Sequence, residues 1–153
     1  MAAVTDVRSG TVELPSSVTY PVFYPGDGSQ TWIVRLSMHE WPDPYATCLG
    51  YEQPTGPAII MQLGTGELTP NVTAVAFANG DTVLEACTYN ETNYTNPNAY
   101  AQEAGRSILN ARDAVVIIPR EQLIVGQTYT VFVTVNGQTY TWSFDIIRPS
   151  EAQ

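Results

Sequence analysis

His39, the single histidine of the 153-residue chain, stands beside acidic residues in a proline-rich segment, with Glu40 and Asp43 close behind it. An imidazole and two carboxylates can bind a metal ion, but a proline-rich loop does not assure the chelating geometry. A serine hydrolase would also need a nucleophile, and the sequence contains no G-x-S-x-G elbow. We therefore predict a turn that carries a surface histidine and in which Asp43 closes an Asx-turn.

Acidic residues number 15, enough to supply the paired carboxylates of a glycoside hydrolase. Nothing in the sequence places two of them in one cleft, so we predict a protein that is not an enzyme. Loop acids such as Asp27, Glu52 and Asp81 could ligate calcium, but no D-x-D-x-D-G loop is present. The sequence predicts no catalytic, cofactor-binding or metal-binding residue.

Aromatic side chains are concentrated in two connections, one rich in proline and the other interleaved with asparagines. Flat rings stack on the C–H faces of sugars and amides bind sugar hydroxyls, so these residues are a candidate carbohydrate platform. The alternative interpretation is packing, in which tyrosine and tryptophan cover the ends of the fold. The candidate platform consists of Trp41, Tyr45, Tyr51, Tyr94 and Tyr100.

Composition excludes several classes of function. The formal net charge of −9 argues against non-specific binding to nucleic acid or to an anionic membrane. All six basic residues are arginines, so Schiff-base chemistry and a P-loop lysine are excluded. No apolar run approaches the roughly 20 residues of a membrane span. The low charged fraction of 14% and the many turn residues favour an all-β domain.

The clearest predicted element is a hairpin formed by residues 127–136 and 138–147 around Asn136-Gly137, which favours a type I′ turn. Both segments alternate with a period of two residues. A two-residue turn places Val135 opposite Gln138, and the same register brings together the pairs Val133–Tyr140, Val131–Trp142 and Tyr129–Phe144. One face is then almost wholly apolar, as expected for paired strands over a core.

Weaker patterns predict the remaining elements. Residues 72–78 and 82–89 flank Asn79-Gly80 as a second hairpin, and further strands are predicted at 31–37, 58–63 and 114–118. Residues 98–112 favour one or two helical turns, although Gly105 weakens that prediction. No helix is long enough for repeated crossovers, so the expected architecture is a sandwich of about seven to eight strands.

Domain boundaries follow from the same patterns. Residues 1–18 are predicted to be a linker, with an edge strand at 10–14 as the alternative for part of it. The β-sandwich is expected over residues 19–148, and residues 149–153 form a tail. Between two strands, Leu123, Gly126 and Tyr129 have the spacing of a tyrosine corner, in which the ring packs on the core and the hydroxyl bonds to upstream backbone.

Several segments together resemble a known family. Residues 20–28, 40–44 and 56–63 and a closing P-x-x-x-L, G-x-x-Y, W-x-F pattern are similar to bacterial immunoglobulin-like domains, in particular those appended to secreted proteins beside the CAP (SCP-like) domain. The closing pattern consists of Pro119, Leu123, Gly126, Tyr129, Trp142 and Phe144. The resemblance covers residues 19–147 and implies an extracellular, non-catalytic, immunoglobulin-like Greek-key sandwich. Because no CAP domain accompanies it, the chain is expected to be an excised piece or a family member standing alone.

The resemblance also bears on Cys48 and Cys87, the two cysteines of the chain. In a secreted domain they are expected to form a disulfide that ties the loop after Pro44 to the strand predicted at 82–89. Two independent buried thiols remain the alternative, whereas a two-cysteine metal site lacks further ligands.

The predicted function is that of an accessory or spacer module, outside the cell or at its surface, whose partner is a neighbouring domain of a longer secreted protein. No cofactor, nucleic acid or membrane span is expected. The alternative is a carbohydrate-binding module that uses the candidate platform and takes a cell-wall glycan as its partner.

Overall fold

The computed structural model describes residues 17–37 and 39–151. The edge strand suggested at residues 10–14 lies outside this part of the chain, as does most of the segment predicted to be a linker. In the described part, regular structure is mainly β. The strands are β1 Val22–Tyr24, β2 Ser29–Thr31, β3 Ile59–Gln62, β4 Val72–Asn79, β5 Thr82–Leu84, β6 Ala86–Tyr89, β7 Ala114–Pro119, β8 Thr128–Val135 and β9 Gln138–Ile146.

These strands form two sheets that pack face to face. The first sheet has four antiparallel strands in the order β1-β3-β7-β6, and the second has five in the order β2-β9-β8-β4-β5. In the second sheet β2 runs parallel to β9, while the other pairs are antiparallel. This is the strand order of an immunoglobulin-like Greek-key sandwich, in which the chain's first two strands are divided between the sheets.

The closing hairpin is confirmed with its complete register. β8 and β9 pair from Val135 opposite Gln138 to Tyr129 opposite Phe144, as the two-residue turn requires. Asn136 and Gly137 have positive φ angles of 50° and 77°, the backbone that a type I′ turn needs.

The second predicted hairpin is confirmed in its first strand and its turn, and in its second strand as far as Leu84. Asn79 lies opposite Thr82, and β4 pairs with β5 as far as Leu84. The prediction of one strand over residues 82–89 is wrong, because the chain then crosses to the other sheet and β6 pairs with β7. Glu85 lies at the crossing, where its carbonyl accepts a hydrogen bond of 2.9 Å from the Arg120 N–H.

Two further predictions need correction. Of the range 31–37, only Thr31 belongs to a strand, and Leu36 forms an isolated bridge with Thr55. Trp32 and Ile33, which lie within the predicted strand, are exposed. The strands predicted at 58–63 and 114–118 are confirmed as β3 and β7.

The helix is longer than the sequence indicates. Helix α1 spans Ala99–Asn110, about three turns rather than one or two. Asn98 caps its N-terminus, where the Asn98 side-chain oxygen accepts a hydrogen bond of 3.0 Å from the Ala101 N–H. Gly105, which argued against a helix, lies where α1 meets a tyrosine ring. A short 3₁₀ helix, Pro149–Glu151, lies in the segment predicted to be a tail.

The first sheet is covered on both faces along one of its inner strands. Its strand β7 alternates between two clusters: Val115 and Ile117 pack in the core between the sheets with Trp142, while Val116 and Ile118 pack in an outer cluster. All six residues of β7 are buried. Helix α1 and the segment before β3 cover this outer face, and the outer cluster positions the candidate site.

Candidate functional site

Residues 40–51, here called the cover segment, are fastened to the outer face of the four-stranded sheet by a disulfide. Cys48 of the cover segment is bonded to Cys87 of β6, with their Cα atoms 5.6 Å apart. Cys48 is itself buried in the outer cluster. The covalent link therefore holds a loop without regular structure against a strand of the sandwich.

Hydrogen bonds attach the cover segment to the loop before α1 as well. The Tyr94 hydroxyl donates to the Asp43 carbonyl at 2.7 Å. Thr47 Oγ1 accepts from the Thr95 N–H at 2.9 Å and donates to the Thr95 carbonyl at 3.2 Å. Both connections in which the aromatic residues are concentrated are thus held together on one face of the sandwich.

A pocket of about 260 Å³ lies between the cover segment, α1 and the sheet. Its buried part is apolar and includes Val116 of β7 and Leu109 of α1. Exposed side chains of Glu40, Trp41 and Arg112 also line it and therefore form its mouth. The volume is just below the roughly 300–1,000 Å³ of typical small-molecule sites, and the apolar lining with few polar groups is typical of them.

Two tyrosines form one wall of this pocket. Tyr89 and Tyr94 are buried, and their ring centroids lie 5.3 Å apart at an interplanar angle of 53°. Burial raises the pKa of the Tyr89 hydroxyl well above its ordinary value, and the nearby Tyr94, Asp43 and Glu40 raise it further. The hydroxyl is therefore a neutral hydrogen-bonding group at physiological pH and not a phenolate.

An exposed aromatic pair lies beside the pocket mouth. The Trp41 and Tyr100 ring centroids are 5.7 Å apart with an interplanar angle of 31°. Trp41 is 63% exposed and Tyr100 is 73% exposed. Large rings so open to solvent contribute little to packing, so the pair offers aromatic faces to a partner or ligand.

The structure separates the five candidate platform residues. Trp41 and Tyr100 form the exposed pair, whereas Tyr94, which the candidate platform also includes, is buried in the pocket wall. The Tyr45 hydroxyl hydrogen-bonds to the Leu36 carbonyl at 3.0 Å. That hydrogen bond gives Tyr45 a structural role in positioning the cover segment.

Tyr51 has a separate environment. Its ring lies under the guanidinium of Arg120, 5.2 Å from the ring centroid, and Arg120 in turn forms an ion pair of 2.9 Å with Glu85. Burial raises the pKa of the Tyr51 hydroxyl, the Glu85 charge adds to this effect, and the Arg120 charge opposes it. Tyr51 therefore stacks on an arginine and is not part of the exposed pair.

The histidine segment has the expected local structure. His39 is exposed, and Asp43 Oδ1 accepts a hydrogen bond of 2.8 Å from the Tyr45 N–H, which closes the predicted Asx-turn. Over residues 17–37 and 39–151, no group of three or more His, Cys, Asp or Glu side chains is suitably placed to hold a metal ion. Asp27, one of the loop acids considered for calcium, accepts a hydrogen bond of 3.1 Å from the Ser143 N–H.

Sequence reasoning missed the pocket itself. Its lining combines apolar residues of β7 with Ile108 and Leu109 of α1. The available signal was the run Ala114-Val115-Val116-Ile117-Ile118, because five consecutive apolar residues indicate a strand covered on both faces. Such a strand requires a second layer, and a pocket forms where that layer does not fill the outer face.

Of the helices that the structure describes, none is long and apolar enough to cross a membrane. Among protein-family models, curated proteins and solved structures, none matches this chain. The immunoglobulin-like fold thus rests on strand order and register, and the resemblance to domains beside CAP proteins stays a prediction.

Proposed function

We propose that the chain is a non-catalytic immunoglobulin-like module of a secreted or cell-surface bacterial protein, which holds and presents a neighbouring domain. The observation that carries this proposal is the disulfide between Cys48 and Cys87. Disulfides persist in oxidising compartments and are rare in reducing ones, so the bond favours a location outside the cytoplasm.

The form of the domain supports a positional role. The two sheets enclose the core, and α1 and the cover segment cover the outer face of the first sheet except at the pocket between them. A disulfide, the Tyr94–Asp43 hydrogen bond and the Thr47–Thr95 hydrogen bonds all hold that cover. A domain fixed in this way deforms little, which suits a spacer between other parts of a protein.

The pocket offers little to a hydrolytic reaction. Its lining is largely apolar, and Glu40 is its one carboxylate, whereas glycoside hydrolysis uses two. The Tyr89 hydroxyl is a poor general base because its pKa is raised. These features support the non-catalytic part of the proposal.

Fractionation of the natural host tests the proposed location. The chain is followed by immunoblot in medium, cell-wall, membrane and cytoplasmic fractions, with a cytoplasmic enzyme as the lysis control. We expect it in the medium or the cell-wall fraction. Recovery of the chain with the cytoplasmic enzyme would contradict the proposal.

A carbohydrate-binding function is the second candidate, and the exposed Trp41–Tyr100 pair favours it. The two rings lie next to a pocket whose mouth also carries Glu40 and Arg112. Ring faces could stack on a sugar while the two charged groups bind its hydroxyls. The partner would be a cell-wall glycan.

Trp32 provides a matched control for this candidate. It is an exposed tryptophan like Trp41, at 53% against 63%, but it does not line the pocket. If the site binds glycan, Trp41→Ala abolishes pull-down by purified peptidoglycan and Trp32→Ala does not. Absence of binding to every polysaccharide, with unchanged tryptophan fluorescence, would leave the spacer function alone.

A further inference from the structure

Two buried carboxylate oxygens are left without partners at one end of the four-stranded sheet. In the described part of the chain, Asp113 Oδ1, Glu91 Oε2 and Trp142 Nε1 are the buried side-chain polar atoms that lack a hydrogen-bond partner. Among the described residues, the ion pair of the protein joins Arg120 and Glu85. Neither Asp113 nor Glu91 is therefore paired with a basic side chain in that part of the chain. Unpartnered buried acceptors are rare in folded proteins, and a bound ion is one explanation for them.

The strand register brings the two acids together. Asp113 directly precedes β7, and Glu91 follows the end of β6 by two residues. In the antiparallel pairing of these strands Tyr89 lies opposite Val116. The pairing ends there, and Glu91 lies in the turn that follows β6, close enough to Asp113 for the two carboxylates to repel each other.

Asp113 is held in a fixed position. The residue is 0% exposed and has a positive φ of 45°. Its Oδ2 accepts a hydrogen bond of 3.0 Å from the Gly66 N–H, and its carbonyl accepts one of 3.2 Å from the Leu63 N–H. A Cβ added at Gly64 would come within 2.7 Å of Oδ2. The loop after β3 therefore encloses one oxygen of the carboxylate and leaves Oδ1 for another partner.

The surroundings attract a cation. Burial raises the pKa of Glu91, the charge of Asp113 raises it further, and a hydrogen bond from Thr69 opposes both effects. Helix α1 ends at Asn110, whose carbonyl accepts a hydrogen bond of 3.2 Å from the Asp113 N–H. The partial negative charge at a helix C-terminus adds to that of the two acids. A positive ion between them would offset the unfavourable burial of charge.

We propose that Asp113 Oδ1 and Glu91 Oε2 bind a calcium ion at this end of the sheet, with the Thr69 hydroxyl as a further oxygen donor. All of these donors are hard oxygen atoms, and Ca²⁺ accepts six to eight of them in flexible geometry, backbone carbonyls and water included. With two carboxylates the site resembles the weak sites of extracellular modules, whose Kd lies at about 10⁻⁴–10⁻³ M. The proposal does not depend on the spacer function.

Calorimetric titration and thermal melting with CaCl₂ test the site on the whole chain after EDTA treatment. We expect one ion per chain and, at 10 mM CaCl₂, a rise in Tm of about 3–10 °C, the shift for ligand at roughly 10 to 100 times Kd. Glu91→Gln and Asp113→Asn should abolish the shift. Glu103→Gln removes one negative charge from the exposed face of α1, and this control variant should retain the rise in Tm with CaCl₂.

Comparison of the variants separates a calcium site from general screening of the acidic chain. In EDTA, Glu91→Gln should melt at or above the wild-type temperature, because it removes a repulsive charge. This variant carries the test if Asp113→Asn does not fold. The absence of binding heat and of a wild-type shift would overturn the proposal. A rise in Tm with CaCl₂ that is equal in Glu91→Gln and wild type would also overturn it, as would an equal rise of wild type with MgCl₂. A melting temperature of Glu91→Gln below that of wild type in EDTA would contradict it as well.

Discussion

The Tyr129 hydroxyl accepts a hydrogen bond of 2.9 Å from the backbone N–H of Ile124, five residues before it. The Tyr129 ring is buried at the start of β8, where it stacks on Phe77 with centroids 5.3 Å apart and a 3° interplanar angle. The hydrogen bond fixes the turn between β7 and β8, where the chain passes from the first sheet to the second. It is the arrangement of a tyrosine corner, as the spacing of Leu123, Gly126 and Tyr129 predicts.

Removal of this hydroxyl should destabilise the domain. Tyr129→Phe leaves the Ile124 N–H without its partner and is expected to lower the free energy of unfolding by about 1–3 kcal/mol. Tyr140→Phe is the control, because the Tyr140 hydroxyl bonds to the Gln138 side chain at an exposed site. Urea denaturation of both variants measures the difference. Equal effects of the two substitutions would count against the corner.

The disulfide should account for a large part of the stability of the domain. Cys48 and Cys87 are 39 residues apart, and closure of a loop of that length contributes about 4 kcal/mol in the chain-entropy model. Replacement of both residues with alanine should therefore lower the unfolding free energy by about 2–5 kcal/mol, as measured by denaturant titration. A loss below 1 kcal/mol would show that the cover segment is held by its other contacts.

Gly105 permits close contact between α1 and Tyr94. A Cβ at this position would overlap the Tyr94 ring. Gly105→Ala should thus destabilise the domain by about 1–3 kcal/mol, although alanine is the better helix former by about 1 kcal/mol. Ser107→Ala, on the exposed face of α1, should stabilise slightly. Stabilisation by both substitutions would mean that helix and ring are not in contact in solution.

Tyr89 should make stability sensitive to alkaline pH. Its pKa is raised in the folded state, so above pH 10 the unfolded chain releases this proton while the folded chain retains it. Unfolding therefore becomes easier as pH rises, by about 1.4 kcal/mol for each pH unit. Tyr89→Phe should lose less stability than wild type between pH 10 and pH 11. Parallel curves of unfolding free energy against pH would contradict the assignment.

The closing hairpin was predictable from the sequence because two local signals agree. Asn136 and Gly137 define the turn, and the period of two residues in both strands defines the buried face. The change of sheet at Glu85 was not predictable in the same way. The segments before and after Glu85 have the sequence pattern of one continuous strand. Each segment belongs to a different sheet, but both sheets pack against the same core.

The candidate site could be predicted only in part. Composition identified the aromatic connections, but their separation into exposed and buried members depends on contacts between distant segments. Tyr94 is buried because α1 and Asp43 enclose it, while Trp41 at the pocket mouth and Tyr100 beside it form an exposed pair. Gly105 argued against a helix locally, yet the packing against Tyr94 requires it. Tertiary contacts thus override local propensity at these positions.

The redox state of the chain in its natural setting tests the central claim most directly. Protein from the natural host is treated with a thiol-alkylating reagent before and after reduction, and its intact mass is measured. A disulfide-tied extracellular module should carry no adduct before reduction and two after it, one on each of Cys48 and Cys87. Two adducts before reduction would contradict both the disulfide and the extracellular role that rests on it.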